Sequence, residues 1–278
     1  MSGGPTVDLH THSICSDGAL TPAELVERAA GAGVTVLALT DHDTIAGLDE
    51  AQRTAAALGI RLVPGVEISA SWRSQGIHVL GLWIDPASAE LKGRLDAQAE
   101  RRRARMRRIC ARLADLGLPG SALLAAVEAN PGVPTRSHLA RAMAASGLIA
   151  REDDAFRKYL GRGKAAHFAA DWPALAEVVA WIRAAGGIAS LAHPARYTLS
   201  SGARRQLLAD FTQAGGGALE VVSGNAQDTY AGAALAMKFG LEGSVGSDFH
   251  SPQRTWNPLG RLAKLPDGIV PVWRSRSL

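Results

Sequence analysis

The sequence predicts an α/β fold, and three observations carry that reading. Short apolar, β-branched runs alternate with Ala-rich stretches of helical period along most of the 278 residues, the pattern of parallel strands covered on both faces. Seven such runs are present, which suits a barrel one unit short of eight strands, or an open sheet. One stretch, from about 98 to 165, breaks the alternation and carries helical spacing alone.

Strands are expected at 7–9, 34–39, 61–68, 77–84, 188–192, 218–222 and 245–247. Helices are expected at 22–32, 46–58, 173–185, 203–214 and 229–240. The first helix opens with Thr21 as N-cap and Pro22 early in its first turn. Only Ala70 to Gly76 separate the third and fourth strands, too few residues for a parallel crossover, so these two form a hairpin. The hairpin sets a residue late in strand three beside one early in strand four. From 98 onward, Met106, Ile109, Cys110, Leu113 and Leu116 recur at helical spacing as far as Gly117-Leu118-Pro119. Helical stretches at 121–129, 137–146 and 152–160 follow, with Pro131 and Pro134 between them. The expected organisation is therefore a barrel built from 1–97 and 166–278, with 98–165 as a helical insertion.

Composition narrows the class. With 47% apolar and 20% charged residues the chain is neither disordered nor a coiled coil. It has no run approaching the ~18 apolar residues of a membrane helix. The opening MSGGPT has neither a basic nor an apolar leader segment, and Cys15 and Cys110 make no disulfide framework. A cytoplasmic enzyme with no obligate protein partner is expected. The net charge is only +4, yet six of the eight residues from Arg101 to Arg108 are arginine. An anionic partner, phosphate or nucleic acid, accounts for that density, as does a plain solvated helix face.

The chemistry gathers at strand ends. His10-Thr11-His12 closes the first strand and Asp17 follows; residues i and i+2 of a strand point to one side, so both imidazoles aim at one locus. The second strand ends in Asp41-His42-Asp43, the third carries Glu67, the fourth begins near His78, and the fifth runs into His193. The last ends in Gly246-Ser247-Asp248-Phe249-His250. Six of the eight histidines thus fall at strand ends or at the hairpin, on the rim where α/β sheets place their sites. Imidazole and carboxylate without thiolate suit Mn²⁺, Zn²⁺ or Fe²⁺. Nine candidate ligands (His10, His12, Asp17, His42, Glu67, His78, His193, Asp248, His250) exceed the needs of one ion, so two or three are implied, with a carboxylate bridging. Asp41 and Asp43 are read as capping or supporting groups and His167 as structural.

The blocks DLHTHSICSDGALTP, LALTDHDT, VPGVEIS, IHVLGLWID, LAHPARY and GSDFH resemble, in order and over nearly the whole chain, the PHP (polymerase and histidinol phosphatase) domain. That resemblance implies a distorted seven-stranded β/α barrel with a trinuclear metal centre, Mn²⁺ being favoured. Carried over by position, it implies His10, His12, Glu67 and Asp248 at one ion and Asp17, His42 and His250 at a second. Bridging Glu67, His78 and His193 would hold the third. Glu67, Asp248 and His250 stand as the catalytic group, His250 as a candidate acid for the leaving oxygen.

The insertion, its Arg-rich helix and the RSHLAR block are similar to the PHP subfamily of 3′,5′-nucleoside bisphosphate phosphatases and 5′-to-3′ exoribonucleases. GRGKAAHF departs from the usual Pro-Ala-Tyr after Lys164. Arg102 and Arg105, on one helix face, and Ser137 and His138, at a helix N-terminus that suits phosphate, are the expected readers of a second phosphate. A nucleotide or short RNA is the expected substrate. The alternatives are histidinol-phosphate phosphatase, whose cationic substrate poorly suits an arginine-rich wall, and a nucleic-acid-binding module with a decayed site, which should have lost ligands.

Overall fold

The computed structural model describes residues 5–223, 226–253, 258–274 and 276. Seven strands lie in chain order in one sheet: β1 (Val7–Asp8), β2 (Val36–Leu39), β3 (Arg61–Trp72), β4 (Gln75–Leu82), β5 (Ile188–Leu191), β6 (Ala218–Val222) and β7 (Glu242–Val245). β1 to β3 are parallel, as are β5 to β7, while β4 is antiparallel to both β3 and β5. Residues just beyond β1 and β7 close the ring: the Leu9 N–H donates to the Val245 carbonyl at 2.8 Å, and Thr11 bridges Phe249 in parallel sense. The sheet is a distorted barrel rather than an open one.

Helices α1 (Pro22–Gly31) and α2 (Leu48–Leu58) follow β1 and β2; α3 (Ala89–Asp115), α4 (Gly120–Glu128), α5 (Arg136–Ala145) and α6 (Glu152–Ala155) follow β4. α7 (Leu175–Ala184), α8 (Ser201–Gln213) and α9 (Ala226–Phe239) complete the shell. α1 starts as its sequence requires: Thr21 Oγ1 accepts the Glu24 N–H, and Glu24 accepts the Thr21 N–H in return.

Two apolar cores result. Leu9, Leu37, Val66, Ile68, Val79 and Leu191 belong to the barrel core, and Leu91 and Leu95 of α3 join it. Met106, Ile109 and Leu113, later on α3, instead pack with Leu123, Val127, Leu139 and Met143 in a second core. α3 is therefore one rod of 27 residues, about 40 Å long, that leaves the barrel and enters the helical layer without a break at 98.

Three expectations are corrected. The hairpin is tighter and longer than foreseen, with Arg73-Ser74 as a two-residue turn and Arg73 at φ 52. Glu67 consequently lies mid-strand rather than near its end; His78 pairs in register with Ser69, and its ring still meets the Glu67 carboxylate as expected. The last strand spans Glu242–Val245 and shares only Val245 with the expected 245–247; beyond it the Asp8 carboxylate takes the His10 and Ser247 N–H groups. Gly246 follows there; a Cβ on it would meet Glu220 and His10 at 2.3 Å, so only glycine permits the approach.

Candidate metal centre and substrate cavity

All nine predicted side chains converge. His10, His12 and Asp17 come from the loop after β1, His42 follows β2, Glu67 and His78 sit on the hairpin, His193 follows β5, and Asp248 and His250 follow β7. His193 (φ 31) and Asp248 (φ 52) adopt left-handed backbone, strain of the kind that persists where surroundings over-determine a site.

Among the described residues three groups could each hold an ion: His10, His12, Glu67 and Asp248; His12, Asp17, His42 and His250; and His42, Glu67 and His78. In the first, His10 Nε2 and His12 Nε2 stand 3.2–3.3 Å from Glu67 Oε2 and Asp248 Oδ1. Bonds of 2.0–2.2 Å to a tetrahedral ion give donor separations of about 3.3–3.6 Å. Asp17 Oδ1 lies 3.2 Å from His250 Nε2 and 3.8 Å from His42 Nε2. Glu67 Oε1 meets His78 Nδ1 and His193 Nε2 at 3.0 Å each, while its Oε2 is 2.9 Å from His42 Nδ1. Glu67 thus faces five imidazoles and is placed to bridge.

The donor atoms themselves test the fit. His10 Nε2, His12 Nε2, Asp17 Oδ1, His42 Nδ1, Glu67 Oε2 and His78 Nδ1 are all buried without a hydrogen-bond partner. Orphaned polar atoms are costly in a protein interior, and divalent cations would satisfy all of these together. Electrostatics agree. Burial alone would raise the pKa of Glu67, but the imidazoles of His42, His78 and His10 reverse this and hold it well below the ordinary value. For Asp17 burial is again outweighed, here by His250 and His42.

Other residues aim the ligands. Glu220 Oε1 lies 2.9 Å from His10 Nδ1 and its Oε2 accepts the His193 N–H at 2.6 Å, so one carboxylate orients two candidate ligands and leaves His10 Nε2 free. Sequence reasoning missed it; the signal was a lone acid in the apolar run ALEVV. His250 Nδ1 bonds the Asp248 carbonyl at 2.8 Å and Thr135 Oγ1 donates to Asp17 Oδ2 at 3.0 Å. Asp41, read as a supporting group, accepts from the Ser13 N–H and from the hydroxyls of Ser13 and Ser16 at 2.6–2.7 Å. Asp43 takes Arg102 Nε at 2.6 Å.

A cavity of about 570 Å³ adjoins the cluster. Asp17, His42 and His78 line it on the barrel side, Arg102, Arg105, Arg136, Ser137 and Arg162 on the insertion side, and Trp172, Tyr197 and the hairpin tip complete it. The arginine run is not one basic face. Arg102 and Arg105 turn inward over the Trp172 ring, 5.2 and 5.9 Å from its centre, whereas Arg103 and Arg107 pair outward with Glu100. Arg105 is held by the Phe168 carbonyl and Arg136 by that of Leu160. Burial, with Arg136 and Arg102 alongside, lowers the pKa of Arg105, a local excess of positive charge that favours an anion.

Two expectations move here. His138 does not line the cavity: it is buried behind the start of α5, where its Nδ1 accepts the Thr135 N–H at 3.1 Å. His167, set aside as structural, does line it, as do Arg136, the first residue of the RSHLAR block, and Arg162 and Trp172, which the sequence did not single out. Lys164 is not among the lining residues.

Imidazoles and carboxylates gathered at a barrel mouth, opening on an arginine-walled cavity, define a metal-dependent phosphoesterase. Known proteins agree. The PHP domain model matches residues 8–87. A 5′-3′ exoribonuclease of Haemophilus influenzae is 43% identical over 268 residues, covering 96% of this chain and 97% of its own. A 3′,5′-nucleoside bisphosphate phosphatase of Chromobacterium violaceum is 41% identical over 272 residues, covering 96% and 95%. Among solved structures, an amidohydrolase from Chromobacterium violaceum with bound SO4 and no metal superposes with a TM-score of 0.91 at 40% identity, over 97% of this chain and 95% of that one. The chain belongs to the PHP domain family.

Proposed function

We propose that this enzyme removes the 3′-phosphate from nucleoside 3′,5′-bisphosphates and also degrades short 5′-phosphorylated RNA from its 5′ end. The observation that carries the reading is the cavity, which joins a cluster of orphaned metal-donor atoms to a wall of arginines. A substrate with two phosphates suits both sides at once. The activities named for the two relatives support it. Arg73 and Arg162 at the cavity rim leave cationic surface for a longer strand and favour the second substrate.

In this reading His10, His12, Asp17, His42, Glu67, His78, His193, Asp248 and His250 hold two or three divalent ions, Mn²⁺ being favoured and Zn²⁺ or Fe²⁺ the alternatives. Such ions activate water and neutralise charge at phosphorus. The chain's own part is to orient. Arg102, Arg105, Arg136 and Ser137 grip the 5′-phosphate and set the 3′-phosphate against the metal side, the positioning that converts binding into rate. Nδ1 of His250 is committed to the Asp248 carbonyl, and its Nε2 converges with Asp17 Oδ1 on one candidate ion site. We therefore assign it to ion holding and give the leaving-group proton to solvent at the open mouth. Residues 1–97 and 166–278 supply chiefly the barrel and 98–165 chiefly the substrate wall, with α3 spanning the join at 98 and Trp172 adding to the wall, in the cytoplasm.

The test compares kcat/KM of the Mn²⁺-loaded enzyme on adenosine 3′,5′-bisphosphate, 5′-phosphorylated RNA and histidinol phosphate. The bisphosphate should exceed histidinol phosphate by about 100-fold or more, since the guanidinium N–H groups that face the cavity lack a second phosphate in the wrong substrate. Equal or better use of histidinol phosphate contradicts the reading.

A further inference from the structure

The buried arginine of the cavity wall is not free to choose its direction. Arg102 is 8% exposed and reaches the cavity from α3, yet its Nε donates to Asp43 Oδ2 at 2.6 Å and its Nη2 to Ser69 Oγ at 2.7 Å. These two bonds use one edge of the planar guanidinium, and the remaining N–H groups are left for a ligand. Asp43 is itself fully anchored. Its Oδ1 accepts the Ser69 N–H at 2.8 Å and Gln98 Nε2 at 3.3 Å, and its own N–H donates to the Glu67 carbonyl at 2.9 Å. Its backbone is left-handed at φ 50, a conformation that costs energy in any residue with a Cβ. Gln98 stands one helical turn before Arg102 on α3 and also donates to the Ser69 carbonyl at 2.8 Å.

We propose that Asp43 is a positioning residue: it clasps α3 to the metal-bearing strands and aims the Arg102 guanidinium at the substrate's non-reacting phosphate. Without that carboxylate, a buried guanidinium would keep its charge and lose its fixed orientation. A flexible cation grips a phosphate less well than one already aimed, because binding must then order it. The clasp also sets the distance between phosphate recognition and chemistry, since Asp43 follows His42 in sequence and bonds β3 beside Glu67. This inference rests on the function proposed above.

A double-mutant cycle on the purified enzyme tests it, read as the Kd of adenosine 5′-monophosphate by calorimetry alongside bound metal by elemental analysis. Asp43→Ala and Arg102→Ala should each weaken Kd by about tenfold, and the double variant should be no weaker than Arg102→Ala alone, because both remove one interaction. Asp43→Asn, which keeps an acceptor but loses the charge, should fall between wild type and Asp43→Ala. Metal content should stay at the wild-type value throughout. Additive losses overturn the proposal, as does loss of metal in Asp43→Ala, which would mean that Asp43 acts through His42. If Asp43→Ala does not yield folded protein, Ser69→Ala carries the test by removing only the second acceptor of Arg102; there a weaker Kd supports the clasp and an unchanged Kd overturns it. A wild-type enzyme that binds the monophosphate but does not hydrolyse the bisphosphate would refute the proposed function and leave the clasp standing. One that does not bind the monophosphate refutes the clasp as well.

Discussion

Glu220 shows how much one buried carboxylate can carry. It bonds the His10 ring and the His193 backbone, two ligands from opposite thirds of the chain. Glu220→Ala should lower metal affinity by about 10–100-fold, measured as metal retained after dialysis against graded chelator; unchanged retention would show that the ligands need no such support. Most of the candidate ligands were visible in the sequence because histidines and acids clustered at strand ends are conspicuous. Glu220 showed only as a lone acid in an apolar strand, and nothing local named a partner 210 positions away. His138 failed for the opposite reason: its helix N-terminus was recognised, but not that Thr135 would recruit its ring as a cap. That burial lowers its pKa from 6.5 to about 4. On acidification the unfolded chain therefore takes up this proton first. The stability tied to neutral His138 is whole above about pH 6.5 and drains as pH falls toward 4, by up to about 1.4 kcal/mol per pH unit. Burial raises Asp8 and Asp41 to about 6, and these act in the opposite sense over the same range. Urea melts of wild type and His138→Gln from pH 4 to 7 isolate the term: the difference should shrink as pH falls, and a flat difference would contradict it.

Elements obeyed their local signals more closely than their ends did. α1 starts at its capping box, and the strong helical period around Met106 to Leu113 gave the second core. β7 and the hairpin were misjudged at their ends because side chains elsewhere decide them: Asp8 takes the Ser247 N–H and interrupts the pairing beyond Val245, and a single left-handed residue, Arg73, lets β3 run on to Trp72. α3 begins nine residues before the expected start of the insertion, where Ser88 caps it and Leu91 and Leu95 bury against the barrel. The join between layers depends on another glycine. A Cβ on Gly132 would fall 2.3 Å from the Ile14 carbonyl oxygen, beside the Val133 N–H bond to Cys15 at 2.9 Å. Gly132→Ala should therefore cost about 1–3 kcal/mol of stability through overpacking, seen as a lower urea midpoint; a neutral result would mean that the loop holding Asp17 gives way freely.

At the scale of the molecule, function comes from placing two unlike surfaces around one cavity. The barrel supplies acids and imidazoles at its rim; the helical layer supplies guanidiniums on a rod shared with the barrel core. The fold class and the metal side were readable because alternation and strand-end residues are local patterns. The cavity wall was only half readable: Arg102 and Arg105 stood out in the run, but Arg136, Arg162 and Trp172 meet them through tertiary packing alone. Among the described residues no helix is long and apolar enough to cross a membrane. The most direct test of the whole account is elemental analysis paired with phosphate release from adenosine 3′,5′-bisphosphate, before and after chelation. The account predicts two or three divalent ions per chain, with turnover lost on their removal and restored by Mn²⁺. A protein free of metal that turns over at full rate in chelator would contradict it.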